Sequence, residues 1–240
     1  IYSQVTSIGQ VKAAAFTVDE KRLEQFYTRV EESPLRCPDK ESEAAMIRAI
    51  DQARSEGESL GGSFEVGAIA IPPGLGSHVS WERRLDGRIA AALMSIPAIK
   101  AVEIGDGIAN AGKPGSQVHD QIGYEDEQGL YRSDNRAGGI EGGISNGETI
   151  WAQAYMKPIP TLYKPLLSVN TATWCEEKAQ VERSDICAVP AAAVVGEAML
   201  AYVLARVFRE QFGGESLQQV EQAYRNYNEY LGKVWKWKRI

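Results

Sequence analysis

The first stretch of the chain, residues 1–16 (IYSQVTSIGQVKAAAF), alternates hydrophobic and polar positions, and this period of two predicts a β-strand. Three further segments, residues 63–71, 99–104 and 149–156, are also predicted to be strands. Because the chain opens inside a predicted strand, we expect residues to precede Ile1 in the complete protein.

Helical periodicity predicts five helices, over residues 19–32, 39–55, 86–96, 190–212 and 217–230. Asp39 is expected to be the N-cap of the second helix, and Pro190 fits the first turn of the fourth. Gly213 and Gly214 are expected to end that fourth helix. The polar residues 108–134 are predicted to form a mobile loop.

Helices and strands are interspersed, but their connections are too irregular for a regular series of strand–helix–strand units. The sequence has no internal repeat and no clear linker. It therefore predicts an α+β fold in a single domain over residues 1–240.

The 240 residues are 44% hydrophobic, enough for a core, and carry a formal net charge of −6. This charge gives no support to nucleic-acid binding. The basic and aromatic cluster from Lys233 to Arg239 is therefore expected to be a solvated tail or a packing arm. The most apolar region, residues 186–204, contains Pro190 and Glu197, so we expect no membrane span there.

The three cysteines, Cys37, Cys175 and Cys187, show no metal-binding spacing and indicate reduced thiols in a cytosolic protein. No metal site is therefore predicted. The two histidines, His78 and His119, lie beside glycine turns and are interpreted as loop residues rather than ligands or bases.

Residues 138–147 (GGIEGGISNG) form the most distinctive segment, because five of its ten positions are glycine. Glycine is used where φ must be positive or where a ligand must approach the backbone closely. The segment is either a loop that offers backbone N–H groups to an anionic, planar ligand or a flexible linker. Ile140 and Ile144 argue against a linker of the Gly/Ser type. Glu148 and Thr149 follow Gly147, where a P-loop would require lysine and a hydroxyl residue.

A proline-flanked turn follows the last predicted strand, with the sequence Lys157-Pro158-Ile159-Pro160-Thr161. Its lysine is a candidate cation for the same anionic ligand.

Arg183 and Asp185 form a second candidate constellation. They are two residues apart on a segment expected to be extended, so both side chains can point to one side. They either cap the helix that starts near Pro190 as an ion pair or belong to a functional site. Spacing alone favours the cap.

Several long motifs resemble the chorismate synthase family, in the family's order and over essentially the whole chain. They are residues 61–66 (GGSFEV), 95–107 (SIPAIKAVEIGDG), 138–147 (GGIEGGISNG), 156–162 (MKPIPTL) and 183–200 (RSDICAVPAAAVVGEAML). The proline-rich form MKPIPTLYKPL resembles the Gram-positive bacterial branch.

The resemblance implies a fold in which helices are sandwiched between antiparallel sheets, with this chain as one part of it. It also implies 1,4-anti elimination of phosphate from 5-enolpyruvylshikimate 3-phosphate to give chorismate. The family requires reduced FMN without net redox change, and it forms cytoplasmic homotetramers. The family's FMN contacts fall on Pro97, Ala98, Gly142, Lys157, Pro158, Ile159, Pro160, Thr161 and Arg183. The aspartate that is proposed to handle a proton at the flavin N5 falls on Asp185.

The sequence departs from the family pattern in lacking the FGESHG motif with its catalytic histidine and the RSSARET segment. The chain thus resembles roughly the last two thirds of the enzyme. Because the missing part supplies a general acid and most of the substrate's cationic cradle, we expect this chain alone to be inactive. The alternative is a non-catalytic FMN-binding or subunit-contact fragment.

Overall fold

The computed structural model of the protein describes residues 1–14, 16, 18, 21–127 and 129–238. The helices are α1 Leu23–Glu32, α2 Lys40–Glu56, α3 Leu85–Met94, α4 Gly107–Asn110, α5 Val189–Phe212 and α6 Leu217–Trp235. Short 3-10 turns lie at Trp81–Arg83 and Gly115–Gln117. The strands are β1 Tyr2–Ile8, β2 Val11–Lys12, β3 Gly62–Ala68, β4 Ile99–Ile104, β5 Ile122–Glu125, β6 Gly129–Arg132, β7 Ile140–Glu141, β8 Ile144–Ser145, β9 Ile150–Met156, β10 Leu167–Val169 and β11 Glu176–Lys178.

One five-stranded antiparallel sheet organises the described residues, with the strand order β2-β1-β3-β9-β4. Side chains alternate between its two faces, as the pleat requires. On β3 and β9 the apolar members of this alternation are buried on one face: Phe64, Val66, Ala68, Ile150, Ala152 and Ala154. The α+β class is therefore confirmed, and the expected partial sandwich consists of this sheet and the helices on its apolar face.

Helices α3 and α5 pack on that apolar face, and α6 packs on α5. Gly196 allows the close approach of α5, because a Cβ at this position would lie 2.5 Å from the Phe64 ring. Aromatic rings join α5 to α6, with Phe212 5.3 Å from Tyr224 between ring centroids. This helix layer and the sheet bury the main hydrophobic core.

The opposite face of the sheet is polar. Glu65 accepts hydrogen bonds there from the Tyr2 hydroxyl (3.1 Å) and from Gln4 Nε2 (3.0 Å). A cleft of about 710 Å³ lies over this face, and Trp151 and Tyr155 of β9 contribute to its walls. The two faces of one sheet thus differ sharply in chemistry.

Most predicted elements are confirmed, with shifted ends. Asp39 is the N-cap of α2 and accepts from the Ser42 N–H, as predicted. The helix predicted over residues 19–32 begins at Leu23; its first two positions lie outside the described residues. Helix α6 continues to Trp235, five residues beyond the predicted end.

Residues 108–134 are not a plain loop, which corrects the prediction. They contain the end of α4, a 3-10 turn and the antiparallel hairpin β5–β6. Asp120 also ties the segment to the glycine-rich region, because its carboxylate accepts from the backbone N–H groups of Arg136 and Ala137.

Helix α5 passes a test of length and hydropathy for crossing a membrane, the one described helix to do so. Only the reason given for expecting no span here is wrong: Pro190 sits in the first turn and, like Glu197, leaves the helix unbroken. The core helix of a soluble protein passes the same test, and α5 packs on β1 and β3 here.

Candidate functional site

Three strand termini lie side by side in the large sheet, where Met156 at the end of β9 pairs with Gly62 at the start of β3 and Ile99 at the start of β4. The segments that precede β3 and β4, the segment that follows β9 and the segment before α5 form what we call the strand-end site. It comprises residues 57–61, 97–98, 157–161 and 183–187.

Backbone contacts fix the start of the proline-rich turn within this site. The Lys157 N–H donates to the Ala98 carbonyl at 2.9 Å, which places two predicted FMN-binding segments side by side. Ala98 has φ +67°, a left-handed conformation that is uncommon outside glycine. Gly61 packs on the same turn, since a Cβ there would lie 2.2 Å from the Met156 carbonyl oxygen.

Serine hydroxyls hold the rest of the turn. Ser59 Oγ donates to the Ile159 carbonyl at 2.6 Å, and Ser184 Oγ donates to the Thr161 carbonyl at 3.1 Å. The Leu60 N–H also donates to the Ile186 carbonyl at 2.7 Å. The segment around Arg183 therefore joins the turn directly.

Thr161 carries a feature that points to a ligand. Its Oγ1 atom is buried and has no hydrogen-bond partner among the described residues. Buried polar atoms normally find a partner in the protein or in a bound molecule. The Thr161 hydroxyl can therefore form a hydrogen bond with a ligand that enters the strand-end site.

Arg183 and Asp185 are both exposed, and within the described part of the chain neither forms an ion pair or a hydrogen bond. The N-cap of α5 is Ala188, and no side chain of the described residues accepts a hydrogen bond at this helix start. The capping interpretation of this pair is therefore wrong. Both charges are free to meet a ligand.

The two lysines at or next to the turn differ in whether they form an ion pair with a described acidic residue. Lys164, just after the turn, pairs with Glu58 at 3.6 Å, whereas Lys157 has no acidic partner among the described residues. Burial raises the pKa of the Cys187 thiol, at the end of the site's last segment, so this cysteine stays neutral near pH 7. Lys157 and Arg183 are thus the cations that remain for an anionic ligand.

The glycine-rich segment is an ordered structure rather than a linker, so the linker interpretation is wrong. All five of its glycines have positive φ, as a close backbone turn requires. Residues 140–145 form the β7–β8 hairpin, whose Ser145 is buried and donates from Oγ to the Pro72 carbonyl. Among these glycines Gly142 alone has open space where a Cβ would stand.

The structure does not bring Gly142 to the other predicted FMN contacts. The glycine-rich segment precedes β9 and packs on the start of α3, where the Leu85 N–H donates to the Gly143 carbonyl. Lys157 follows the other end of β9. Seven residues of strand at about 3.3 Å each separate the two regions by roughly 20 Å. Gly142 as an FMN contact stays a prediction.

Other sequence predictions concern the histidines, the cysteines and the C-terminal cluster. His78 and His119 are exposed, consistent with loop residues. The cysteines are unpaired, and no group of three metal-ligating side chains occurs among the described residues. Trp237 is 7% exposed and packs against Gly147, so the C-terminal cluster acts as a packing arm up to this residue.

Sequence reasoning missed Ser59, Gly61 and Ser184 as parts of the site. Ser59 contacts a carbonyl 100 residues away, and no local pattern signals that contact. The pair Gly61-Gly62 was a partial signal, because a glycine pair often marks close backbone approach.

The fold and site define an α+β protein in which, among the described residues, two cations and one hydroxyl at the strand-end site have no partner. The sequence model of the chorismate synthase family matches residues 1–208. The chain is 64% identical over 240 residues to the chorismate synthase of Syntrophomonas wolfei subsp. wolfei, covering all of this chain and 61% of that relative. It is 52% identical to the chorismate synthase of Desulforamulus reducens, covering 96% of this chain and 59% of the relative.

A solved structure described as a crystal structure of chorismate synthase superposes with a TM-score of 0.82 at 42% identity. It covers 97% of this chain, which spans 63% of that structure. The chain therefore belongs to the chorismate synthase family. It spans about 60% of the length of the curated relatives it matches.

Proposed function

We propose that this chain provides the reduced-FMN site of a chorismate synthase. The reaction is 1,4-anti elimination of phosphate from 5-enolpyruvylshikimate 3-phosphate to give chorismate, without net redox change. The observation that carries the proposal is the convergence of residues 97–98, 157–161 and 183–185 at one sheet edge. Family membership supplies the reaction, and the strand-end site supplies groups suited to its cofactor.

The residues present fit an anionic, planar cofactor. FMN carries a phosphate and, when reduced, an anionic ring, and Lys157 and Arg183 are exposed cations that can meet either charge. The buried Thr161 Oγ1 has no hydrogen-bond partner among the described residues, and a flavin heteroatom or phosphate oxygen can provide one. When bound, reduced FMN supplies electron density transiently as phosphate leaves the substrate.

Asp185 has the role of holding or accepting a proton at the flavin N5. Its carboxylate is exposed and forms no ion pair or hydrogen bond with any described residue, so it is not committed to the fold. A positioned carboxylate near a nitrogen is a suitable general base. Arg183, two residues earlier, is also exposed and adds a positive charge to the same segment.

Binding of FMN is tested by anaerobic titration of the chain with reduced and oxidised FMN, followed by flavin absorbance. We expect reduced FMN to bind more tightly, because two cations favour the anionic ring. Lys157→Ala should weaken the affinity by roughly 1–3 kcal/mol, about 5- to 150-fold. Lys113→Ala, which removes an exposed lysine from a distant loop, is the matched control. Equal affinity of Lys157→Ala and the parent would remove Lys157 from the site.

Catalysis is tested separately, by adding 5-enolpyruvylshikimate 3-phosphate and reduced FMN and following the absorbance of chorismate. We expect no turnover from this chain alone, because it lacks the family's FGESHG histidine and RSSARET segment. Binding without turnover supports a fragment that binds FMN but does not catalyse. Turnover by the chain alone would contradict the need for residues outside it.

Self-association and a cytoplasmic location are also proposed. Supporting the first, the region around β10–β11 exposes several large apolar side chains, including Leu167 (73% exposed) and Trp174 (78% exposed). Such clusters mark interaction surfaces. We expect light scattering to detect a homo-oligomer, a homotetramer if the family assembly forms. A stable monomer at micromolar concentration would contradict this. The unpaired cysteines support a reducing compartment.

A further inference from the structure

We propose that Ser59 and Ser184 are positioning residues that hold the 157–161 turn in its ligand-binding shape; we call them the serine clamp. The proposal rests on the proposed function, because it concerns the same FMN site. Ser59 Oγ donates to the Ile159 carbonyl at 2.6 Å, and Ser184 Oγ donates to the Thr161 carbonyl at 3.1 Å.

The turn needs such donors because of its own sequence. Pro158 and Pro160 have no backbone N–H, so the turn cannot build its own ladder of backbone hydrogen bonds. The pairing of β9 with its neighbours ends at Met156. The next N–H, that of Lys157, donates to the carbonyl of Ala98, which directly precedes β4. The carbonyls of Ile159 and Thr161 then rely on side-chain donors.

The position of Ser59 is well defined, because backbone hydrogen bonds hold its segment both before and after it. It follows Gly57, the left-handed C-cap of α2, whose carbonyl accepts from the Lys164 N–H at 3.1 Å. The next residue, Leu60, bonds to the segment before α5. Ser59 itself is only 8% exposed. The hydroxyl is thus held by structure that lies outside the proline-rich turn.

Ser184 links the two charged parts of the site. It is half-buried between Arg183 and Asp185, which are both exposed. Because its hydroxyl is fixed on the Thr161 carbonyl, Ser184 holds the backbone of its two charged neighbours beside the turn. The Oγ1 atom of Thr161 is itself buried without a hydrogen-bond partner among the described residues. Loss of the Ser184 hydroxyl therefore loosens Arg183, Asp185 and Thr161 together.

The test measures the affinity of the chain for reduced FMN in Ser59→Ala, Ser184→Ala and Ser184→Thr. Each alanine variant should bind about two- to tenfold more weakly, the range for one neutral hydrogen bond. Ser184→Thr keeps the hydroxyl and should restore the affinity. Ser33→Ala is the matched control, since Ser33 is equally buried and its hydroxyl accepts from two backbone N–H groups far from the site.

Amide hydrogen exchange of the ligand-free protein provides a second readout that does not depend on FMN. Peptides covering residues 159–166 should exchange faster in both alanine variants and at the parental rate in Ser184→Thr and Ser33→Ala. Unchanged exchange in this region overturns the proposal, and so does unchanged FMN affinity in both alanine variants. If the parent fails to bind reduced FMN, the proposed function fails, and exchange alone then decides whether the serines hold the turn.

Discussion

Gly61 shows how a residue without a side chain shapes the candidate site. A Cβ at this position would lie 2.2 Å from the Met156 carbonyl oxygen and 2.8 Å from the Pro158 nitrogen. Because both neighbours are backbone atoms, the turn itself must move to admit a methyl group. The position thus couples the end of α2 to the shape of the turn that follows β9.

We therefore expect Gly61→Ala to weaken binding of reduced FMN by at least tenfold and to lower the melting temperature, since overpacking costs about 1–3 kcal/mol. Gly112→Ala is the control, because a Cβ at Gly112 meets nothing within 4 Å. Flavin titration and thermal unfolding of both variants check this. Parental affinity in Gly61→Ala would mean that the turn is not part of the FMN site.

Asp185→Asn separates a catalytic carboxylate from a structural one. The side chain neither caps α5 nor forms an ion pair with a described residue, so asparagine should leave the melting temperature and FMN affinity unchanged. In an enzyme of full family length that contains this chain, turnover should fall by about two to four orders of magnitude. Asparagine keeps the shape but cannot take the proton. Near-parental turnover across the pH range would return Asp185 to a passive role.

At the scale of elements, α5 is the helix on which the core depends. It meets β3 at Gly196, where the missing side chain lets the Phe64 ring and the helix backbone come together. Glycine inside a helix normally costs about 1 kcal/mol relative to alanine, so its presence here reflects packing rather than helix propensity.

Gly196→Ala is accordingly expected to destabilise the protein by about 1–3 kcal/mol despite the better helix propensity of alanine. Its Cβ would lie 2.5 Å from the buried Phe64 ring. Gly87→Ala in α3 has 3.7 Å of clearance and should stabilise by up to about 1 kcal/mol. Urea unfolding of the two variants gives the comparison. Stabilisation by Gly196→Ala would show that α5 does not approach β3 this closely.

Elements with strong local signals were predictable from the sequence. Asp39 and Pro190 marked helix starts, and the alternation around Phe64 marked a strand. The two-residue strands β7 and β8 were not, because each is defined by a partner across a glycine turn rather than by its own pattern. The hairpin β5–β6 was missed because its strands are short and largely exposed, so they show little hydrophobic periodicity.

At the scale of the whole molecule, the polar face of the sheet makes stability depend on pH. On the polar face, burial raises the pKa of Glu65, although the hydrogen bonds from Gln4 and Tyr2 oppose this. The folded protein therefore holds this proton at pH values where the unfolded chain has lost it. The stabilisation is complete below the unfolded pKa of about 4.3 and is lost as pH rises through the folded pKa.

Glu65→Gln should remove this loss, because glutamine is neutral and its Oε1 can still accept from Tyr2 and Gln4. We expect the melting temperature of the variant, relative to the parent, to rise as pH increases above about 4 and to level off once pH passes the folded pKa of Glu65. Glu176→Gln, at an exposed position of β11, is the control and should show little dependence on pH. A Glu65→Gln difference that stays constant over this range would contradict a raised pKa.

The candidate site was only partly predictable from the sequence, because it depends on contacts between segments that are far apart in the chain. The motif around Lys157 and the pair Arg183 and Asp185 could be selected from sequence, and the structure joins them through Ser184. Gly142 was selected with them, but it lies at the other end of β9. A motif indicates chemistry, whereas strand register decides which motifs meet.

The central claim, that the strand-end site holds reduced FMN, is tested most directly by locating the cofactor in crystals of the chain soaked anaerobically with reduced FMN. The account predicts difference density within hydrogen-bond distance of Thr161 Oγ1, flanked by Lys157 and Arg183. Density in the cleft over the polar face of the sheet, or around Gly142 without any contact to residues 157–161, would contradict it.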